Sequence, residues 1–137
     1  MAPSSVENQV SEQTTAYEAL GGDDRLLAVV TRFYDLMESE PEYAELMATH
    51  GADTTRARQR LYEFLSGRLG GPNLYWERHG HPKLRMRHAP FAIGPAERDQ
   101  WVACMDRAMD DEQVPAALRT ALTEFFTTVA QHMQNRR

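Results

Sequence analysis

A single cysteine, Cys104, stands in a chain of 137 residues. One thiol cannot build an internal disulfide framework, and such scarcity suits a reducing compartment, so a cytoplasmic location is expected. No apolar run approaches the roughly 18 residues that a bilayer-crossing helix needs. The N-terminus lacks an apolar signal-peptide core, which again points to a soluble protein with no membrane partner. Positive charge is also in short supply. Fifteen Lys and Arg face 20 Asp and Glu, for a formal net charge of −5, without the basic excess of a nucleic-acid surface. With only 8 Gly and 7 Pro, the chain is neither fibrous nor low in complexity. No segment alternates apolar and polar residues as a strand would.

What remains is a chain with 42% hydrophobic residues, enough for one domain with a real core. Residues 1–15 are rich in Ser, Thr, Gln and Glu and read as a disordered arm, with the domain covering 16–137. A short turn over Tyr17–Leu20 ends at Gly21-Gly22. Leu26, Leu27, Val30, Phe33, Tyr34 and Met37 then follow helical spacing up to Pro41. A short helix over residues 43–47 precedes one carrying Ala57, Leu61, Phe64 and Leu65, with Thr54 or Thr55 as its cap and Gly70-Gly71-Pro72 as its stop. Residues 73–83 have no clean period and read as loop with one turn of helix at most. Pro95 opens a helix with the stripe Trp101, Cys104, Met105, Ala108 and Met109. Pro115 opens the last, with Leu118, Ala121, Leu122, Phe125, Phe126, Val129 and Met133 on one face. The fold class is all-α, with four principal helices.

One stretch carries chemistry: Leu84-Arg85-Met86-Arg87-His88-Ala89-Pro90-Phe91. It places a histidine among apolar side chains, puts two arginines beside it, and breaks the local helix with a proline. A histidine so held suits an axial ligand to haem iron, and the arginines suit the haem's anionic propionates. His79 and His81 form a His-x-His pair, but no second pair completes a zinc or copper set. His132 reads as surface.

Together with Phe33-Tyr34, Gly21-Gly22, Gly70-Gly71-Pro72, Gly80-His81-Pro82 and Arg98-Asp99-Gln100-Trp101, that stretch resembles the group II (O type) truncated haemoglobins. The resemblance runs from about Tyr17 to the end of the last helix. It implies a two-over-two helical sandwich enclosing a b-type haem (haem b, iron protoporphyrin IX), with His88 as the proximal iron ligand. It further implies Tyr34 and Trp101 as distal donors to a bound ligand. His50 falls where many relatives carry tyrosine, which makes it a third, titratable candidate. Arg87 is the expected propionate partner, with Tyr75 beside it. Ala57 falls at the distal gate and Leu61 one turn on. Phe64, Leu65, Met86, Phe91, Ile93 and Phe126 are the expected pocket walls.

The function so implied is binding of O₂, and of NO or CO, at a five-coordinate iron. O₂ would leave slowly because N–H and O–H donors hold its developing charge, which suits sensing, scavenging or redox detoxification better than transport. Two alternatives stay open. One is a peroxidase or nitric oxide dioxygenase, acting on peroxide or NO with a separate electron donor or reductase. The other is a haem-free helical interaction module. Either a monomer or a homodimer is compatible with the chain.

Overall fold

The computed structural model describes residues 14–137, so the expected N-terminal arm lies almost wholly outside the described residues. Thr15 belongs to the folded body, because its Oγ1 accepts the Glu18 N–H and caps α1 (Ala16–Leu20). Every other regular element among the described residues is also helical. These are α2 (Asp23–Ser39), a 3₁₀ turn (Pro41–Tyr43), α3 (Ala44–Ala48), α4 (Thr55–Arg68), α5 (Leu74–His79), α6 (Leu84–His88), α7 (Pro95–Asp111) and α8 (Ala116–Met133). No strand occurs among the described residues, and none of their helices is long and apolar enough to cross a membrane.

The four long helices are the four read from periodicity. They form the two-over-two arrangement: α2 packs on α4 and α7, and α7 packs on α8. The core lies where they meet, around Leu26, Val30, Phe33, Leu36 and Met37 of α2, Leu65 of α4, Cys104, Met105, Ala108 and Met109 of α7, and Leu122 and Phe126 of α8. Phe33, Cys104, Met105 and Ala108 are fully excluded from solvent. This burial is the main source of stability, at about 25 cal/mol per Å² of apolar surface removed from water.

Several sequence expectations need correction. Leu27 is 46% exposed, whereas Val29 and Leu36 are buried. It falls just past the rim of the α2 stripe, on the solvent side. On α8, Ala130 is buried in place of Ala121, which is exposed. Thr54 holds the N-cap position of α4, but its hydroxyl donates to Glu38 Oε2 at 3.1 Å, and the Thr55 N–H goes to Asp53 Oδ1 at 2.9 Å. The aspartate won because an ionised oxygen is the stronger acceptor. The stretch read as loop between 73 and 83 contains the six-residue helix α5, whose buried Tyr75 packs inward. Its period was invisible because a six-residue helix shows less than two turns of pattern.

The turn after α4 is built on glycine for a physical reason. Gly70 has φ +97°, and a Cβ on Gly71 would lie 2.6–2.7 Å from the Tyr17 ring. The backbone of this stop thus closes directly on α1, where the Tyr17 N–H donates to Leu69 O at 2.9 Å.

Candidate functional site

His88 ends the short helix α6, half-buried. Its Nδ1 lies 2.7 Å from Leu84 O, one turn earlier. A carbonyl can only accept, so Nδ1 carries a proton, which in the neutral ring leaves the lone pair on Nε2. That is the state a metal-ligating histidine requires. Around it the chain exposes apolar surface without compensation: Met86 is 62% exposed and Phe91 46%, with the Phe91 ring 6.5 Å from the imidazole. A large flat apolar group seated on His88 would cover such surface, and the donor set and its surroundings therefore fit haem.

The segment around His88 is held from a residue the sequence did not single out. Asn135, just past α8, exchanges bonds with Ile93 at 2.9 Å in both directions, its N–H donating to Ile93 O and its Oδ1 accepting the Ile93 N–H. Its Nδ2 donates to Phe91 O at 2.8 Å and approaches His88 O at 3.4 Å. A lone polar residue at a helix end gives no local sign of such a role, because its partners lie more than 40 positions away. Asn135→Ala removes the side-chain bonds to the Ile93 N–H and to Phe91 O while the backbone bonds to Ile93 O remain, at about 0.5–1.5 kcal/mol for each bond lost. Haem loss from the holoprotein to an apoglobin acceptor should accelerate roughly tenfold, with the helix content by circular dichroism unchanged.

The candidate propionate residues lie together. Arg87 is exposed, its Nε donates to Pro82 O at 2.9 Å, and its guanidinium lies 5.8 Å over the buried Tyr75 ring. Tyr75 in turn meets Phe64 edge-on at 6.5 Å and His79 at 4.9 Å. Behind them sits a second group missed from sequence. Glu63, only 2% exposed, accepts from Arg78 at 2.6 Å, His79 at 2.9 Å and Gln59 at 3.2 Å, with Arg60 at 3.4 Å. Burial alone would raise the Glu63 carboxyl, but the bonds from Arg78, Gln59 and His79 prevail and bring it down to about 2. His81 diverges from His79, meeting Trp76 edge-on at 4.9 Å and accepting the Lys83 N–H at 3.0 Å.

The candidate distal residues form one edge-to-face chain. The Trp101 ring lies 5.7 Å from Phe33, Phe33 lies 4.9 Å from Tyr34, and Tyr34 lies 5.7 Å from His50. Phe126 backs Trp101 at 5.5 Å. The buried Tyr34 hydroxyl donates to Ala57 O at 3.3 Å, and burial pushes its phenol well above the ordinary value. His50 is half-buried, with Nδ1 3.0 Å from Leu46 O. The helix carrying Leu46 is pinned by Gln100 Oε1, which accepts the Leu46 N–H at 3.0 Å. Ala57, Leu61, Phe64 and Ile93 are half-buried, while Leu65 and Phe126 are buried in the core.

A helical sandwich with a polar aromatic chain on one flank and a poised histidine on a short helix defines a globin. The bacterial-like globin family model matches residues 15–135. The chain is 38% identical over 119 residues to a group 2 truncated hemoglobin of Bacillus subtilis, covering 87% of each. It superposes on a group II 2-on-2 hemoglobin of Agrobacterium tumefaciens with a TM-score of 0.88 and 47% identity, covering 92% of this chain and 98% of that one. It also superposes on a truncated, oxygen-avid haemoglobin from Bacillus subtilis with a TM-score of 0.81 and 38% identity, covering 89% and 100%. The chain belongs to the bacterial-like globins, in their group II two-on-two truncated haemoglobin branch. Membership implies haem-based ligand binding.

Proposed function

We propose that this chain holds haem b through His88 Nε2, with Arg87 and Tyr75 at a propionate, and binds dioxygen with slow release. When bound, the haem supplies iron with an open position for a diatomic ligand. Tyr34 and Trp101 then act as donors to the ligand's negative end, in a pocket whose aromatic walls exclude water. The observation that carries this reading is the continuous chain Trp101–Phe33–Tyr34–His50, which gathers three polar-tipped rings on one flank. The oxygen-avid relative from Bacillus subtilis supports it. Each charge-assisted bond contributes about 1.5–3 kcal/mol, so two slow release by roughly a hundredfold or more.

Stopped-flow measurement of O₂ dissociation tests it. Trp101→Phe is expected to release O₂ roughly tenfold faster or more, and Tyr34→Phe to act in the same direction. Combined, the two should not add, because both donors serve one ligand. If each variant stays within twofold of the parent, the stabilised-ligand reading is wrong.

His50 enters differently from the two donors. With its Nδ1 proton engaged by Leu46 O, neutral His50 presents a lone pair at Nε2 and donates there only when protonated. Burial lowers its pKa below the ordinary 6.5, with the Leu46 bond opposing, so the neutral form prevails at pH 7. Lowering the pH below 6.5 therefore adds a donor, and O₂ release is expected to slow there. His50→Phe should flatten that dependence; a pH profile unchanged by the substitution would remove His50 from the pocket chemistry.

A further inference from the structure

Arg58 follows Ala57 in the first turn of α4 and bridges to α2. Its Nη2 donates to Asp35 Oδ1 at 2.9 Å and to Glu38 Oε2, and its Nε donates to Thr54 Oγ1 at 2.9 Å. Thr54 itself donates to the same Glu38 oxygen at 3.1 Å, so the guanidinium is fixed from two helices. Its central carbon lies 5.6 Å from the centroid of the Tyr34 ring, over the face. The Tyr34 hydroxyl meanwhile donates to the carbonyl of Ala57, the preceding residue. Two adjacent residues thus touch Tyr34 at both ends, a carbonyl at the hydroxyl and a cation on the ring.

As a plain surface ion cluster, this arrangement would do little. Asp35 is 52% exposed and Glu38 36%, and exposed pairs contribute about 0–1 kcal/mol. The ring contact is what gives it chemical meaning. A cation over the face draws electron density from the phenol and makes its O–H a stronger donor. The 3.3 Å bond to Ala57 lies beyond the usual 2.7–2.8 Å of a hydroxyl bond, so it aims the hydroxyl at little cost to its transfer elsewhere.

We infer that Arg58 is a positioning residue that aims the Tyr34 hydroxyl through Ala57 and strengthens it as a donor through the ring face. This rests on the reading of Tyr34 as a donor to the bound ligand. The direction of the Tyr34 acidity agrees: burial raises the phenol, and Arg58 is the influence that pulls it back.

The test compares Arg58→Met, which keeps the stem and removes the charge, with Arg58→Lys, which keeps the charge. Both are made in the parent and in the Tyr34→Phe holoprotein. The readouts are O₂ dissociation and the C–O stretching frequency of the carbon monoxide complex, with thermal unfolding as the folding control. Arg58→Met should speed O₂ release by roughly threefold to tenfold and raise the C–O frequency, with Arg58→Lys recovering most of both. In Tyr34→Phe the same substitutions should change neither. Should Arg58→Met fail to retain haem, Arg58→Gln takes its place, since an amide still donates to Glu38. Equal effects in both backgrounds, or none in the parent, overturn the inference while Tyr34 keeps its role. If Tyr34→Phe itself leaves release and frequency unchanged, the donor reading fails and this inference falls with it.

Discussion

His88→Gly is expected to abolish normal haem retention while leaving the helical sandwich folded. The side chain is half-buried and makes one bond, to Leu84 O, so its loss opens little core. The consequence for haem is far larger. Removal of a mere outer-shell partner of a metal ligand costs roughly 10–100-fold in affinity, and loss of the ligand itself should exceed that. Added imidazole should restore part of the binding, because a free ring can occupy the space that the glycine leaves. The ferrous absorption spectrum is the check. A variant that keeps haem with the parent spectrum would show that another residue ligates the iron, and Arg87→Ala offers the contrast, loosening haem without changing the ligand field.

Glu63→Gln should give the largest loss of stability among single changes away from the core. The carboxylate is almost wholly buried and receives Arg78, His79 and Gln59. An amide of the same shape keeps the packing but presents an N–H₂ toward those donors. Glu63 has an ordinary carboxyl value of 4.5 and is brought to about 2 when folded. A folded-state pKa below the unfolded one means that its stabilisation is complete above 4.5 and fades as the pH falls toward 2. Linkage makes that contribution on the order of 3 kcal/mol at neutral pH. For a chain of this size it amounts to roughly 10 °C in melting temperature. Thermal unfolding of parent and variant should therefore differ strongly at pH 7 and converge near pH 2. An equal gap at both pH values would assign the effect to packing. Because the cluster backs Tyr75 through His79, the variant should also loosen Arg87 and release haem faster.

Much of this molecule was legible in one dimension. The four long helices follow from apolar spacing, since a 17-residue helix such as α2 or α7 repeats its pattern often enough to stand above chance. Their ends follow from local chemistry, as at Gly70-Gly71, where backbone freedom is written in the residue type. His88 stood out because its apolar and basic neighbours are adjacent in the chain.

What escaped had partners far away in sequence. Glu63 reads as one more charge on a polar helix until α5 folds against α4 and buries it. Asn135 reads as a frayed terminus until α8 delivers it to the loop after His88. The sequence by itself determined the helices, the family resemblance and the candidate ligand, because each depends on short-range pattern. Only the tertiary structure decided what holds the His88 segment, which donors surround buried Glu63, and that Arg58 faces the Tyr34 ring. Those are matters of distance between groups far apart in the chain, and that distance is set by packing.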